Sequence, residues 1–246
     1  MLASLSMLLD VKEIDYRKSS VLHGVLMERL DTAYVEFLHN QQMHPYSQYV
    51  TSTEAGPVWN IHTLNREAYE NIILRFLDGP KTFTLRHNKQ EVSIKSHQIK
   101  TLEKAELLET FYHEQASNNF ELEFLTPTAF KQNGHYMILP DIRLLSQNLM
   151  MKYSASSETV NMTDEEALEQ IVSHTFITRH RIQSRSFPIE GAKVPGFTGH
   201  VTFRCKGTET MSRYLRLLLS FGEFSGIGIK SSVGMGAIRL RRDEND

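Results

Sequence analysis

The sequence contains very little cysteine, since Cys205 is the only one among 246 residues. A single cysteine excludes an internal disulfide and a cysteine-based zinc cluster, and it favours a reducing compartment. Long apolar runs are also missing, because no segment approaches the roughly 18 apolar residues that a membrane span needs. The N-terminal stretch MLASLSMLLD has no basic residue before its apolar part, so it predicts a first strand instead of a signal peptide. We therefore expect a cytoplasmic protein with no membrane partner.

Net charge is small as well, at −2, which by itself argues against a nucleic-acid-binding protein. The charges are unevenly distributed along the chain, however. Residues 176–246 hold twelve Lys and Arg against six Asp and Glu, a balance of +6, whereas residues 1–175 have a balance of −8. This asymmetry reflects either chance variation between segments or a polyanionic partner for the C-terminal part.

The first half has the element order of one ferredoxin-like unit. Apolar spacing predicts a strand near residues 3–9, helices over 19–39, two strands over 47–64, a helix from Asn65, and two strands on either side of Asn88. Asn65 and the pair Asp31-Thr32 are candidate helix caps. Strand, helix, two strands, helix and strand is the βαββαβ order.

The second half repeats this order with one inserted helix, DEEALEQIVSHTF. A strand in NFELEFL precedes the helix DIRLLSQNLMMKYS, which starts at Asp141. FITRHRIQSRSF and FTGHVTFRC predict a hairpin whose loop is PIEGAKVPG, and a helix ending near Gly222 precedes a last strand, MGAIRLRR. We predict an α+β fold of two tandem ferredoxin-like (βαββαβ) domains, residues 1–115 and 116–246.

The stretch GIGIKSSVGMG concentrates glycine just before the last strand. Its glycines form two pairs: Gly226 with Gly228, and Gly234 with Gly236. Walker and dinucleotide-binding loops are excluded by context, because this stretch lies between a helix and a strand and has no glycine immediately before Lys230. Two interpretations remain: a helix C-cap followed by a β-bulge, or a bent backbone whose exposed N–H groups approach a polyanion. In the second case Lys230 adds a charge, and Ser231 and Ser232 add donors.

This stretch resembles the glycine-rich signature loop of the CRISPR-associated endoribonucleases that process the precursor CRISPR transcript at each repeat. The similarity extends to FLTPTAFKQNGHYMILPDIRLL, to GFTGHVTF, and to FLH at 37–39 followed by PYS at 45–47, so it covers nearly the whole chain. The resemblance implies metal-independent cleavage without a cofactor. The ribose 2′-hydroxyl would attack the adjacent phosphate, leaving a 2′,3′-cyclic phosphate and a 5′-hydroxyl, and the products would be guide RNAs for antiviral defence.

Histidine suits both proton transfers of this reaction, because its ordinary pKa of about 6.5 leaves both forms populated near neutrality. By resemblance His39 takes the place of the family's catalytic histidine, and His44 lies where some members have an assisting lysine. Some members use a tyrosine on the first helix. Met27 lies at that place here, so Tyr46 or Tyr49 would have to substitute. His23, on the first helix, is the next catalytic candidate, but a half-buried core role is the preferred interpretation.

RNA binding is expected in the basic C-terminal part. In a strand Arg179, Arg181 and Arg185 alternate and project from one face, while His180 and Gln183 would project from the other. Lys193 follows in the hairpin loop, and in the family this region contacts the repeat RNA. The remaining RNA-binding candidates are those of the glycine-rich loop: Gly226, Gly228, Lys230, Ser231, Ser232, Gly234 and Gly236.

Two other functions remain open from the sequence. The first is a non-cleaving RNA-binding subunit of a CRISPR effector complex, which would keep the glycine-rich loop and dispense with the histidine. The second is an unrelated nucleotide-binding metabolic enzyme of ferredoxin-like fold, which would need a metal or cofactor site that the sequence does not indicate. For the endoribonuclease, the expected partners are CRISPR repeat RNA, a CRISPR ribonucleoprotein effector complex and a second copy of the chain.

Overall fold

The computed structural model describes residues 1–85, 89–113, 117–189 and 191–241. Its strands form two larger antiparallel sheets and one small hairpin. The strands are β1 (Leu2–Leu9), β2 (Tyr46–Thr53), β3 (Gly56–Thr63), β4 (Thr82–Leu85), β5 (Gln90–Leu102), β6 (Asn119–Thr128), β7 (Phe130–Gln132), β8 (His135–Met137), β9 (Thr175–Ile189), β10 (Ala192–Cys205) and β11 (Ile238–Arg241). Within these ranges, no helix has the length and hydropathy needed to cross a membrane.

Helices form in the segments for which the periodicity predicts them, and one further helix, over residues 104–113, is not predicted. They are α1 (Ser19–Glu28), α2 (Thr32–Asn40), α3 (Arg66–Ala68), α4 (Arg75–Asp78), α5 (Lys104–His113), α6 (Ile142–Ala155), α7 (Glu165–His174) and α8 (Glu209–Ser225). A π-helical segment, Tyr69–Leu74, joins α3 to α4, so the two are one continuous helix in space. A short 3-10 helix, Tyr16–Lys18, precedes α1.

The N-terminal sheet has the strand order β2-β3-β1-β5-β4, the ferredoxin-like order with its last strand doubled by a hairpin. Its strands alternate, so every second side chain enters a core beneath α1 and the helix of residues 66–78. Trp59 is fully buried in this core and donates its indole N–H to Gln48 Oε1 at 2.9 Å. The turn at Asn88, predicted between two strands, lies outside the described residues.

Two of the three predicted helix caps are confirmed. The Asn65 side chain accepts the Ala68 N–H, and the Asp141 carboxylate accepts the Leu144 N–H. Asp31 precedes α2 as expected but makes no side-chain capping bond. Its carboxylate pairs instead with Arg75 at 2.6 Å, because the guanidinium competes for it.

The C-terminal sheet has the order β11-β6-β10-β9, which is the second ferredoxin-like unit. Val201 and Phe203 of β10 pack with Leu215 and Leu218 of α8 in its core. The core continues into the other half of the chain, since Leu2 belongs to the same cluster. The predicted domain boundary between residues 115 and 116 lies outside the described residues.

The β9–β10 hairpin is longer than predicted, and this corrects the position of Lys193. Strand pairing continues through most of the expected loop PIEGAKVPG, so Lys193 lies on β10 opposite Pro188. Pairing persists because Phe187 and Val194, opposite each other, are both buried in a small cluster with Met235. The packing of Phe187 and Val194 with Met235 therefore holds the hairpin tip against the glycine-rich loop.

Helix α8 also runs past its predicted end at Gly222. A Cβ at Gly222 would come within 3.1 Å of the Ile238 and Leu149 side chains. This glycine therefore allows close packing inside α8, and the helix ends three residues later at Ser225.

The glycines of residues 226–236 are needed by the protein's own backbone. All four have positive φ: 63° at Gly226, 81° at Gly228, 125° at Gly234 and 72° at Gly236. A Cβ at Gly236 would strike the Ile227 carbonyl oxygen, and one at Gly228 would strike that of Ala129. A Cβ at Gly234 would strike Ser19 at the start of α1. The loop is thus folded tightly on itself and against the first half.

The N–H groups of the four glycines are occupied within the protein, so exposed N–H groups at the glycines are a wrong expectation. Gly226 donates to Gly222 O at 2.9 Å and Gly228 to Asn148 Oδ1 at 2.8 Å. Gly234 donates to Lys230 O, and Gly236 donates to Pro127 O at 3.1 Å. The bent backbone leaves Lys230 exposed, Ser231 half-buried and Ser232 buried. Within the described part of the chain, the N–H groups of these three residues have no protein acceptor.

Replacing Gly236 by alanine should destabilise the fold strongly, because the new Cβ meets both an unfavourable φ and the Ile227 carbonyl. We expect the free energy of unfolding to fall by at least about 3 kcal/mol in urea titrations. Gly134→Ala is the matched control, since Gly134 has φ 82° but no atom within 4 Å of the place that a Cβ would occupy. It should lose only about 1 kcal/mol. An equal decrease in the free energy of unfolding of the two variants would show that the close packing around Gly236 does not contribute to stability.

Candidate active site

The candidate site lies where strand β2 of the first half meets the glycine-rich loop of the second. The Gln48 N–H donates to Ser231 O at 3.1 Å, and Ser47 Oγ donates to Phe224 O. These bonds join residues that are far apart in sequence. They place the segment from His39 to Tyr46 beside residues 228–233.

Tyr46 lies at the centre of this junction and is almost completely buried. Its Oη lies 2.9 Å from His23 Nε2 and 4.0 Å from Met27 Sδ. Burial raises the pKa of Tyr46, and a hydrogen bond with the Ser232 side chain partly opposes that rise. Tyr46 therefore stays protonated near neutral pH, with its hydroxyl beside Met27, where the family resemblance implies a tyrosine.

His23 and His44 lie beside Tyr46, and His39 is close enough to influence both of them. Burial lowers the pKa of His23 to about 4, with smaller contributions from the charges of His44 and His39. Burial also lowers the pKa of His44, helped by the charge of His39, and the His44 ring centroid lies 5.6 Å from that of Tyr46. His39 is exposed in the last turn of α2. The result is one exposed imidazole next to two that are neutral at pH 7.

His23 is half-buried as predicted, and its Nε2 lies 2.9 Å from the hydroxyl of Tyr46, a member of the N-terminal core. It therefore lies at the edge of that core and beside the candidate site. Tyr49, the other candidate tyrosine, lies on the opposite face of β2. Its ring packs edge-on against His62, 5.5 Å between centroids. It is therefore separated by the sheet from the three histidines.

A cleft of about 350 Å³ opens beside this cluster, and both halves of the chain line it. Its wall consists of Gln42, Met43, His44, Asn148, Lys152 and residues 228–233. Lys230 is exposed at the rim with φ 57°, and Ser232 is buried. The cleft thus combines a neutral imidazole with hydroxyl and N–H donors.

Sequence reasoning missed Lys152 and Asn148, both on α6. Lys152 Nζ donates to the carbonyls of Ser225 and Gly226, and Asn148 Oδ1 accepts the Gly228 N–H. The helical spacing of α6 is the signal that could have identified them. Positions 145, 149 and 153 form the buried face of the helix, and positions 148 and 152 lie next to that face. A lysine so close to the inner face of an apolar helix is uncommon.

The β9 arginines are exposed on the open face of the C-terminal sheet, opposite α6 and α8. In the register Arg181 faces His200 and Arg185 faces Gly196, so the arginines share one face as predicted. Gln183, expected on the other face, lies instead on the same face as the arginines, because its position is an even number of residues from each of them. Arg185 Nη2 donates to Gln183 Oε1 at 2.8 Å. The six-residue span from Arg179 to Arg185 measures about 20 Å.

Lys193 does not join the histidine cluster. It lines a second cleft, of about 580 Å³, together with Arg17 and Lys18 in front of α1. Arg17 is held by Asp15 through its guanidinium at 2.6 Å. The predicted site residues therefore divide into three groups: the histidines with Tyr46 and residues 230–232, the β9 arginine row, and Lys193.

The neutral state of His23 predicts a pH-dependent stability. Its pKa is about 4 in the folded protein and about 6.5 when unfolded, so the unfolded chain binds more protons between these values. The free energy of unfolding should fall by about 2 kcal/mol from this group between pH 6.5 and 4.5. Urea titrations of His23→Gln should show a decrease smaller by that amount. His135→Gln, at an exposed position, is the control and should follow the wild type; identical behaviour of all three proteins would contradict the account.

Comparison with known proteins identifies the family. The family model for the CRISPR-associated endoribonuclease Cas6 matches residues 122–238. The Cas6 endoribonuclease of Streptococcus thermophilus is 35% identical over 232 residues, covering 93% of this chain and 95% of its own. That of Mycobacterium tuberculosis is 39% identical over 222 residues, covering 89% and 70%.

Solved structures agree in fold. A Cas6 product complex has a TM-score of 0.81 at 19% identity and covers 98% of this chain and 99% of its own. A Cas6-related protein from Pyrococcus furiosus has a TM-score of 0.66 at 11% identity and covers 99% of both chains. These structural similarities show the tandem ferredoxin-like fold. The sequence identity to the two Cas6 endoribonucleases shows the family as well. The chain belongs to the family of CRISPR-associated Cas6 endoribonucleases, which confirms the resemblance seen in its sequence.

Proposed function

We propose that this endoribonuclease cleaves precursor CRISPR RNA within each repeat, at a phosphodiester held in the cleft between His44 and residues 230–232. The observation that supports this most is that His44 and the hydrogen-bond donors of residues 230–232 line the same cleft. Lys230 has a left-handed backbone conformation. The successive N–H groups of residues 230–232 at such a bend can bind an anion together. Those donors would stabilise the charge that develops on the phosphorane.

The two accessible histidines divide the proton transfers. His44 is neutral at pH 7, because burial and the charge of His39 lower its pKa, so it can accept the 2′-hydroxyl proton. His39 is exposed in the last turn of α2, where its imidazolium form can donate a proton to the departing 5′-oxygen. The 2′-oxygen bonds to phosphorus as the bond to the 5′-oxygen breaks. The products are a 2′,3′-cyclic phosphate and a 5′-hydroxyl.

His23 and Tyr46 act behind these two residues. Tyr46 keeps its proton because burial raises its pKa, and the neutral His23 ring bonds to its hydroxyl. Through the hydrogen bond between Tyr46 and the Ser232 side chain, the pair fixes the position of Ser232 at the floor of the site. A fixed floor matters because the acid, the base and the donors must keep their geometry within a fraction of an ångström.

RNA binding extends along β9. Arg179, Arg181 and Arg185 form a row of about 20 Å on an open sheet face, and the hairpin tip beyond Arg185 packs against the glycine-rich loop. Guanidinium groups in such a row suit the phosphates of a repeat stem, whose deep and narrow major groove prevents base reading by side chains. Lys193, with Arg17 and Lys18, offers a second set of cations near the tip.

Repeat RNA is the substrate, and we expect the cleaved RNA to be received by a CRISPR ribonucleoprotein effector complex in the cytoplasm. A homodimer remains the expected alternative assembly of the free protein.

His39→Ala should reduce cleavage of a labelled repeat RNA by roughly 100- to 10,000-fold in single-turnover assays containing EDTA, because general acid catalysis is lost. RNA affinity should stay close to that of the wild type. His97→Ala, at an exposed position on β5, is the matched histidine control and should cleave normally. RNA with a deoxy sugar just 5′ of the cut should bind and remain intact.

Other outcomes of that assay would redirect the proposal. Full activity of His39→Ala would move the acid role to His44 or Tyr46. Tight binding with no cleavage by the wild type would contradict the proposed activity and favour a non-cleaving RNA-binding subunit.

Removing the arginine row should weaken binding of the deoxy repeat RNA in a salt-dependent way. For Arg181→Ala combined with Arg185→Ala, we expect the slope of log affinity against log salt to decrease by about 1 to 2. Arg143→Ala is the control, because Arg143 lies on α6 at the opposite face of the same sheet and pairs with Glu169. An unchanged slope in the double variant would exclude phosphate contacts by the row.

A further inference from the structure

Lys152 has an unusual environment at the floor of the cleft. Its Nζ donates to Ser225 O at 3.1 Å, to Gly226 O at 2.9 Å and to Ser231 Oγ at 3.0 Å. These three bonds use all three donors of an ammonium group. Every acceptor belongs to the end of α8 or to the glycine-rich loop, so Lys152 ties α6 to that loop.

Among the described residues, no carboxylate lies within ion-pair distance of the Lys152 ammonium group. Burial alone lowers the pKa of Lys152 to about 7. An enclosed cation without an anion is costly to keep, and a hydrophobic residue with a capping water would be a cheaper way to fill the space. The lysine therefore indicates a task beyond packing.

The chemistry of the bond to Ser231 defines that task. In its protonated form the Lys152 nitrogen has only donors, so Ser231 Oγ accepts from it in that form. The Ser231 hydroxyl hydrogen then points away from Lys152, and Ser231 is only half-buried in the wall of the cleft. A positively charged neighbour also makes this hydroxyl a stronger hydrogen-bond donor.

We propose that Lys152 is a positioning residue that fixes the Ser231 hydroxyl as a donor to the scissile phosphodiester in the cleft. The proposal rests on the proposed function, because it assigns the phosphodiester to this cleft. Lys152 does not touch the RNA; it acts through Ser231. The negative phosphate group in turn supplies the anion that the enclosed ammonium lacks.

A double-mutant cycle on kcat/KM for repeat RNA tests this coupling. Ser231→Ala and Lys152→Met should each lower kcat/KM by about 10-fold or more, because each removes the same oriented donor. The double variant should be within about threefold of the weaker single variant. Asn148→Ala is the matched control, since Asn148 holds the same loop from the same helix through Gly228 without touching Ser231. Its effect should multiply with that of Ser231→Ala.

The outcomes separate this inference from the proposed function. A wild-type protein that does not cleave repeat RNA would contradict the function before the cycle is built. If the wild type cleaves, but the effects of Lys152→Met and Ser231→Ala multiply, or Lys152→Met cleaves at the wild-type rate, the positioning role is wrong and the function stands.

A second measurement decides the matter if Lys152→Met does not fold. Above neutral pH the lysine loses its proton, its nitrogen can accept from Ser231, and the hydroxyl is no longer fixed as a donor. The alkaline fall of kcat/KM should therefore be steeper in the wild type than in Ser231→Ala. The other titratable groups on the surrounding elements are His44, Lys230, Tyr153 and Glu223, and they are common to both proteins. Profiles of equal steepness would overturn the proposal.

Discussion

The close contact between the glycine-rich loop and the rest of the backbone is the constraint on which the site depends. Gly236 lies directly against the Ile227 carbonyl, Gly228 against that of Ala129, and Gly234 against Ser19 at the start of α1. Side chains larger than hydrogen would push these segments apart. Because they are absent, Ser231 can accept the Gln48 N–H through its carbonyl, and the two ferredoxin-like units share one cleft.

The electrostatics of the cleft follow from that packing. Burial of His23 and Tyr46 at this junction lowers the pKa of the imidazole and raises that of the phenol. Both groups are thereby neutral at pH 7, and His44 is shifted in the same direction as His23. His39 alone of the three histidines stays exposed, in the last turn of α2. The separation of roles between acid and base is therefore produced by position and does not require different residue types.

The fold is predictable from the sequence because local signals agree with one another. Alternation in β1, the caps at Asn65 and Asp141, and the two-fold βαββαβ order all indicate the same architecture. Errors arise where tertiary packing extends or overrides a local signal. Buried Phe187 and Val194 prolong the hairpin through a segment rich in proline and glycine, and tight packing keeps Gly222 inside a helix.

The site is less predictable, for a related reason. His39, His44 and Tyr46 are identifiable by their nearness in sequence and by resemblance. The contacts of His23 with Tyr46 and of Lys152 with Ser231 depend on how distant segments pack, and a single sequence does not record those distances. The glycines stand out in the sequence, but the partner that requires them is the protein's own backbone.

A structure of the protein with repeat RNA carrying a deoxy sugar 5′ of the cut would test the central claim most directly. The account predicts the scissile phosphate between residues 230–232 and the histidine cluster, with the sugar facing His44 and the 5′-oxygen facing His39. A scissile phosphate bound instead along the β9 arginine row, or in the cleft beside Lys193, would contradict it.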